Sequence, residues 1–78
     1  MIMHGIIIDT RGLTCPLPVL KVRKAMRAVA PGTQVIILAT DPGAEEDLRV
    51  YCETSGCGFL SAEIPASGGE FKIVIQKP

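Results

Sequence analysis

The spacing of hydrophobic and polar residues changes period several times along the chain, and these changes predict most of its elements. Short β-branched runs at residues 6–8 and at Gln34–Ala39 predict two strands that are too apolar to be half exposed. Apolar residues at helical spacing follow each run. A first helix is therefore expected over residues 16–29, and a second is expected to begin with Asp41 as its N-cap and Pro42 in its first turn.

The last third of the chain has the alternating pattern that is typical of strands. Residues 59–65 and Phe71–Gln76 predict two strands, and residues 66–70 predict a hairpin loop between them, while Gly56 is suited to end the second helix. The order is βαβαββ. We therefore expect an α+β fold, a two-layer α/β sandwich whose four-stranded mixed sheet carries both helices on one face.

Length, composition and charge limit the functions to consider. Seventy-eight residues are enough for a single domain, expected to span residues 1–78, and with 4% aromatic residues its core must be aliphatic. Eight basic and eight acidic residues cancel, which disfavours direct binding of nucleic acid. The N-terminus lacks the pattern of a secretory signal and no apolar run is long enough for a bilayer, so we expect a cytoplasmic protein without a membrane partner.

Neither a disulfide framework nor a metal site is expected. The three cysteines cannot all pair within one chain, and a reducing compartment would keep them as thiols. His4 is a lone imidazole without a second histidine or a cysteine pair nearby, so it is a poor metal ligand. No cofactor is expected.

Cys15 is the candidate reactive group, because it lies where the exit loop of the first strand becomes the first helix. If Cys15 is the N-cap, the positive end of the helix dipole should favour a sulfur anion and lower the thiol pKa, although Pro16 and Pro18 lack an N–H donor. The sequence Cys-Pro-Leu-Pro contains no second cysteine, so it cannot form the internal disulfide of a Cys-X-X-Cys pair. Alternatively, Cys15 is a small buried residue and the prolines only shape the turn.

The segment Asp-Thr-Arg-Gly-Leu-Thr-Cys-Pro-Leu-Pro-Val at residues 9–19, together with Lys21, Asp41-Pro42 and Asp47, resembles the signature of the TusA/SirA-like sulfur-carrier family. The similarity runs nearly end to end. It implies that Cys15 accepts sulfane sulfur as a persulfide from a cysteine desulfurase or rhodanese-type donor and passes it to an acceptor protein. It further implies a place in tRNA thiolation, molybdenum-cofactor synthesis or sulfur oxidation, without choosing among them.

Three residues of the loop before Cys15 match the family motif, as do Pro16 and Pro18. Asp9 either caps its own loop or takes part in proton handling, and Arg11 either pairs with an anionic sulfur or is solvated. Gly12 is expected to supply a backbone angle that other residues resist.

The first helix should also carry a surface for partner proteins. Leu17 and Leu20 are expected near Cys15 on the polar side, where Lys21 and Lys24 would complete a patch for acidic donor or acceptor proteins. The alternative is that a neighbouring loop partly buries the two leucines.

The other two cysteines and the overall function leave further alternatives. Cys52 is expected in the core, and Cys57 is expected either to begin a strand in the core or to act as a second thiol that resolves a persulfide on Cys15.

The main expectation for the overall function is a sulfurtransferase-type carrier rather than an enzyme with turnover of its own. A regulatory or protein-interaction module and a thiol-redox protein remain open.

Overall fold

The structure is a computed structural model that describes residues 5–64 and 69–78, so most of the predicted hairpin loop at residues 66–70 lies outside the described residues. It contains four strands and two helices in the predicted order βαβαββ. The elements are β1 (Ile6–Thr10), α1 (Leu17–Met26), β2 (Gln34–Ala39), α2 (Ala44–Ser55), β3 (Gly58–Glu63) and β4 (Phe71–Gln76).

The sheet is mixed and has the strand order β1-β2-β4-β3. β1 pairs in parallel with β2, whereas β4 is antiparallel to both β2 and β3. β2 and β3 therefore run in the same direction, and each helix connects two parallel strands. The predicted two-layer sandwich with a four-stranded mixed sheet is confirmed.

Both helices cover one face of the sheet and share one core with it. Inward positions alternate along the strands, as in the register Ile8↔Ile37 and Ile37↔Ile73. Val22 of α1 and Leu48 of α2 are completely buried against them. The core is aliphatic, as the composition predicts.

The opposite face of the sheet has no helix over it in the described part of the chain. As a result, Ile7 is 65% exposed, and Ile36 and Leu38 are only half-buried. The expectation that the first two strands are buried on both sides is wrong, because a two-layer sandwich covers one face only.

The ends of the helices differ from the sequence-based expectations. α1 begins at Leu17 and ends at Met26, although Val29 beyond it is still buried. α2 begins at Ala44 with Gly43 as its N-cap, since the Asp41 carboxylate accepts the N–H of Gly43 in a turn that precedes the helix. Gly56 ends α2 in the left-handed conformation, as expected. Neither helix is long and apolar enough to cross a membrane among the residues described.

Candidate functional site

Cys15 lies in the turn between β1 and α1, at the edge of the sheet where β1 ends. The N–H of Leu17 donates to the carbonyl of Thr14 at 2.8 Å, which closes a turn around Cys15 and Pro16. The peptide bond between Cys15 and Pro16 is cis. The helix N-cap is Pro16 rather than Cys15. The N–H of Leu17, the first free donor of the helix, is used by the turn. Cys15 itself is exposed.

The thiol of Cys15 donates a hydrogen bond to the Asp47 carboxylate in the first turn of α2. This contact brings together residues that are 32 positions apart in the sequence. Among the described residues it is the single side-chain hydrogen bond of Cys15. The contact therefore places a negative charge directly beside the thiol.

The carboxylate changes the acidity of the thiol in the direction opposite to the one expected. The pKa of Cys15 is raised from its ordinary 9.0, first by the hydrogen bond to Asp47, then by partial loss of solvent and by the negative charges of Asp47 and Asp41. The expectation of a helix dipole that lowers this pKa is wrong, because the thiol faces two carboxylates and lies two residues before the helix.

The loop before Cys15 is held together by a separate set of polar contacts. The Asp9 carboxylate accepts the backbone N–H of Arg11 at 3.0 Å and its guanidinium at 2.9 and 2.8 Å. These hydrogen bonds lower the pKa of Asp9 well below its usual range. Arg11 also lies 3.7 Å from Glu70. Of the two alternatives for each residue, the contacts favour a structural role for Asp9, while Arg11 pairs with carboxylates rather than with sulfur.

Two further contacts fix this loop to its neighbours. Gly12 has a φ of 83°, a left-handed conformation that favours glycine, and its N–H donates to the Thr40 hydroxyl at 2.8 Å. Lys21 donates to the carbonyl of Asp9 at 2.6 Å. The loop therefore positions Cys15 without touching its sulfur.

The leucines and lysines that were expected to form a partner patch lie on the surface of α1. Leu17 and Leu20 are each 47% exposed, and Lys21 and Lys24 are exposed beside them. Exposure of the two leucines leaves them available to a partner. Their role in partner binding remains a prediction.

A groove of about 560 Å³ runs from Cys15 between the two helices. It had not been expected from the sequence, because its two walls come from helices that only the tertiary fold brings together. Among the residues that form it, Arg23, Val50 and Tyr51 had no predicted functional role. The lining residues are Cys15, Pro16, Val19, Arg23, Asp47, Val50, Tyr51, Thr54 and Ser55.

The other two thiols belong to the core. Cys52 and Cys57 are 4% and 9% exposed, and burial raises the pKa of Cys52 to about 11. Of the two alternatives for Cys57, its burial favours core packing at the start of β3. His4 lies outside the described residues, and residues 5–64 and 69–78 contain no group of three or more metal-ligating side chains.

Comparison with known proteins gives one consistent family. The family model described as sulfurtransferase TusA matches residues 6–77. The sulfur carrier protein TusA of Allochromatium vinosum is 33% identical over 90% of this chain and 90% of its own. A protein of Neisseria meningitidis that is named as a proposed sulfur carrier protein is 36% identical, over 95% of this chain and 97% of its own length.

The fold is also similar to that of a solved structure. The crystal structure of a SirA-like protein from Desulfitobacterium hafniense superposes with a TM-score of 0.78 at 25% sequence identity. The match covers 91% of this chain and 95% of the other. Sequence and fold thus lead to the same group of proteins.

Proposed function

The chain belongs to the sulfurtransferase TusA family, and from this premise we propose that it is a sulfur carrier that holds one sulfane sulfur on Cys15 as a persulfide. The observation that carries the proposal is the contrast among the three thiols: Cys15 is exposed and contacts Asp47, whereas Cys52 and Cys57 are buried. A carrier needs one thiol that a partner's sulfur can reach. Cys15 meets that requirement.

In the loading step, the Cys15 thiolate attacks the outer sulfur of a donor persulfide. The S–S bond of the donor breaks, a new S–S bond forms on Cys15, and the donor leaves as a thiolate. The Cys15 thiol, which its hydrogen bond to the Asp47 carboxylate holds protonated, first loses its proton to the solvent. The sulfur stays at the sulfane level, so the step needs no oxidant or reductant.

Delivery uses the same groups in reverse. A thiolate of the acceptor attacks the outer sulfur of the loaded Cys15, which leaves as a thiolate and recovers a proton. The carboxylates of Asp47 and Asp41, which raise the pKa of the Cys15 thiol, also repel a persulfide anion at the same position. Repulsion between like charges then favours release of the sulfur over its storage.

The partners that fit this role are proteins on both sides of the relay. We propose a cysteine desulfurase or a rhodanese-type protein as donor and a downstream sulfur-acceptor protein, both in the cytoplasm. The exposed Leu17 and Leu20, with Lys21 and Lys24 around them, suit an acidic partner surface with an apolar centre. The sulfur would serve tRNA thiolation, molybdenum-cofactor synthesis or sulfur oxidation.

Incubation with a cysteine desulfurase and cysteine, followed by intact-mass measurement, tests the proposal. The expected result is the added mass of one sulfur atom, which a reductant removes. Cys15→Ser should abolish the gain, and Cys57→Ser, as the matched control, should retain it. Loading of Cys15→Ser at the wild-type yield would overturn the proposal, and full activity of Cys15→Ser in cells would favour an interaction module instead.

A further inference from the structure

We propose that the groove between α1 and α2 binds a low-molecular-weight persulfide that carries a carboxylate, with its outer sulfur at Cys15 and its carboxylate at Arg23. The chain would then load directly from a short peptide persulfide as well as from a protein. This inference rests on the proposed persulfide chemistry of Cys15. It adds a binding site and a class of donor.

The groove has a defined direction, because the two helices that form it are parallel. Each helix returns from the end of one strand to the start of a parallel one, so both run antiparallel to those strands. One wall carries Cys15, Val19 and Arg23 at a spacing of four residues. The opposite wall carries Asp47, Tyr51 and Thr54 at spacings of four and three.

The two ends of the groove differ in charge. The end at Cys15 carries the Asp47 carboxylate, whereas Arg23 lines the other end. An anionic group is repelled at the first end and attracted at the second. A donor with one carboxylate is therefore oriented with its sulfur toward the thiol.

Arg23 is available for such a ligand. The guanidinium of Arg11 pairs with Asp9, and that of Arg49 pairs with Glu45 and stacks over Phe59. Arg23, in contrast, makes neither an ion pair nor a side-chain hydrogen bond with any residue that the structure describes. A guanidinium binds a carboxylate through two parallel hydrogen bonds, which gives direction as well as affinity.

Size and polarity limit the ligand further. A volume of about 560 Å³ lies within the range of roughly 300–1,000 Å³ that is usual for small-molecule sites. The lining between the charged ends is apolar and includes Pro16, Val19 and Val50. Arg23 lies six residues beyond the start of α1 at Leu17, roughly 9 Å along the helix axis. A persulfide on a short peptide spans this distance better than cysteine persulfide.

The transfer is balanced without another reactant. The Cys15 thiolate attacks the outer sulfur, the S–S bond of the small donor breaks, and a new S–S bond forms on Cys15. The small donor leaves as a thiolate and takes up a proton from water, which replaces the proton that the Cys15 thiol released to the solvent. The outer sulfur keeps its oxidation level.

The test compares loading rates from two probes, glutathione persulfide and the persulfide of 2-mercaptoethanol, which has no carboxylate, at donor concentrations below saturation. Arg23→Gln should slow loading from glutathione persulfide about tenfold, the loss expected for one charge-assisted hydrogen-bonded pair. Loading from the probe without a carboxylate should change less than about twofold, since it offers no carboxylate for Arg23 to bind. Arg27→Gln, which removes an exposed charge outside the groove, should leave both rates unchanged.

Equal slowing of both probes by Arg23→Gln, or equal effects of Arg23→Gln and Arg27→Gln, would overturn the groove assignment. Circular dichroism of each variant checks that the fold is retained. Loading of the wild-type chain by a cysteine desulfurase separates the two proposals. If that loading occurs while Arg23→Gln does not discriminate between the probes, the small-donor site is wrong and the carrier role stands. If no donor loads Cys15, both are wrong.

Discussion

Replacing Asp47 by asparagine should lower the pKa of the Cys15 thiol and speed its alkylation at neutral pH. Asparagine has nearly the same shape as aspartate but carries no charge, so the substitution removes the negative charge that strengthens the hydrogen bond to the protonated thiol and repels the thiolate. Asp41→Asn should act in the same direction and more weakly, since Asp41 affects the thiol through its charge alone. Both side chains are half-buried and lie outside the aliphatic core, so the core packing stays intact.

The direction of the pKa shift of Cys15 limits the thiolate fraction of the wild type, and the increase in alkylation rate follows from it. A thiol with the ordinary pKa of 9.0 is about 3% ionised at pH 7.5, and the raised pKa of Cys15 keeps the wild type below that fraction. Each unit by which the pKa falls raises the thiolate fraction about tenfold and lowers the intrinsic nucleophilicity about threefold. The alkylation rate at pH 7.5 should therefore rise about three- to fourfold for each unit.

The assay is the rate of alkylation by iodoacetamide from pH 6 to pH 10, followed by intact mass. Under native conditions the reaction reports Cys15, because Cys52 and Cys57 are buried; Cys15→Ser gives the background. Glu46→Gln is the matched control, since it removes a neighbouring charge that makes no contact with the thiol. An unchanged or higher pKa in Asp47→Asn, or an equal decrease in Glu46→Gln, would refute the reasoning.

Three further predictions concern the framework of the site. Leu48→Ala should lower the free energy of unfolding by about 2–5 kcal/mol and the melting temperature by more than about 10 °C. Leu48→Met should lower the free energy of unfolding by less than about 1.5 kcal/mol, and urea titrations measure both variants. Gly56→Ala should lower the free energy of unfolding by about 1–2 kcal/mol because the φ of Gly56 is +85°, although the new methyl group meets nothing closer than 4.0 Å. Gly58→Ala, the control, should leave the free energy of unfolding nearly unchanged. Equal losses in the two variants would contradict this reasoning. The Asp9 carboxylate should stay ionised from pH 5 to pH 3 in an NMR titration, so its stabilising contribution is complete above pH 3.8 and is lost only at lower pH. Arg11→Gln should raise the midpoint toward 3.8, although the backbone N–H of residue 11 and the charge of Lys21 still lower it; a wild-type midpoint near 3.8 would refute the pairing.

Strand bounds could be predicted well where the hydrophobic run is closed on both sides by strong turn residues. β2 and β4 begin and end at the predicted residues, Gln34–Ala39 and Phe71–Gln76. Helix ends were less predictable, because local hydrogen bonds decide them. Beyond Met26 the chain continues in turns with i→i+3 bonds, which keep Val29 buried and so prolong the hydrophobic spacing past the helix.

The candidate thiol could be predicted from the sequence, but its environment could not. The position of Cys15 at the end of a strand and before a helix follows from local patterns. Asp47 had the signal of an acidic residue in a first helical turn, which the helix dipole already explains. Its contact with Cys15 depends on how α1 and α2 pack together, and the groove that contains Arg23 depends on the same packing.

The hydrogen bond between Cys15 and Asp47 joins the two successive strand-helix units of the chain. Before the second unit has docked, as on a ribosome still synthesising α2, Cys15 is an ordinary cysteine that ionises like any other. Completion of the fold protonates it more firmly and makes it less reactive toward stray electrophiles and peroxides. Folding of the second unit thus lowers the reactivity of the Cys15 thiol, and a bound partner or donor must then activate it.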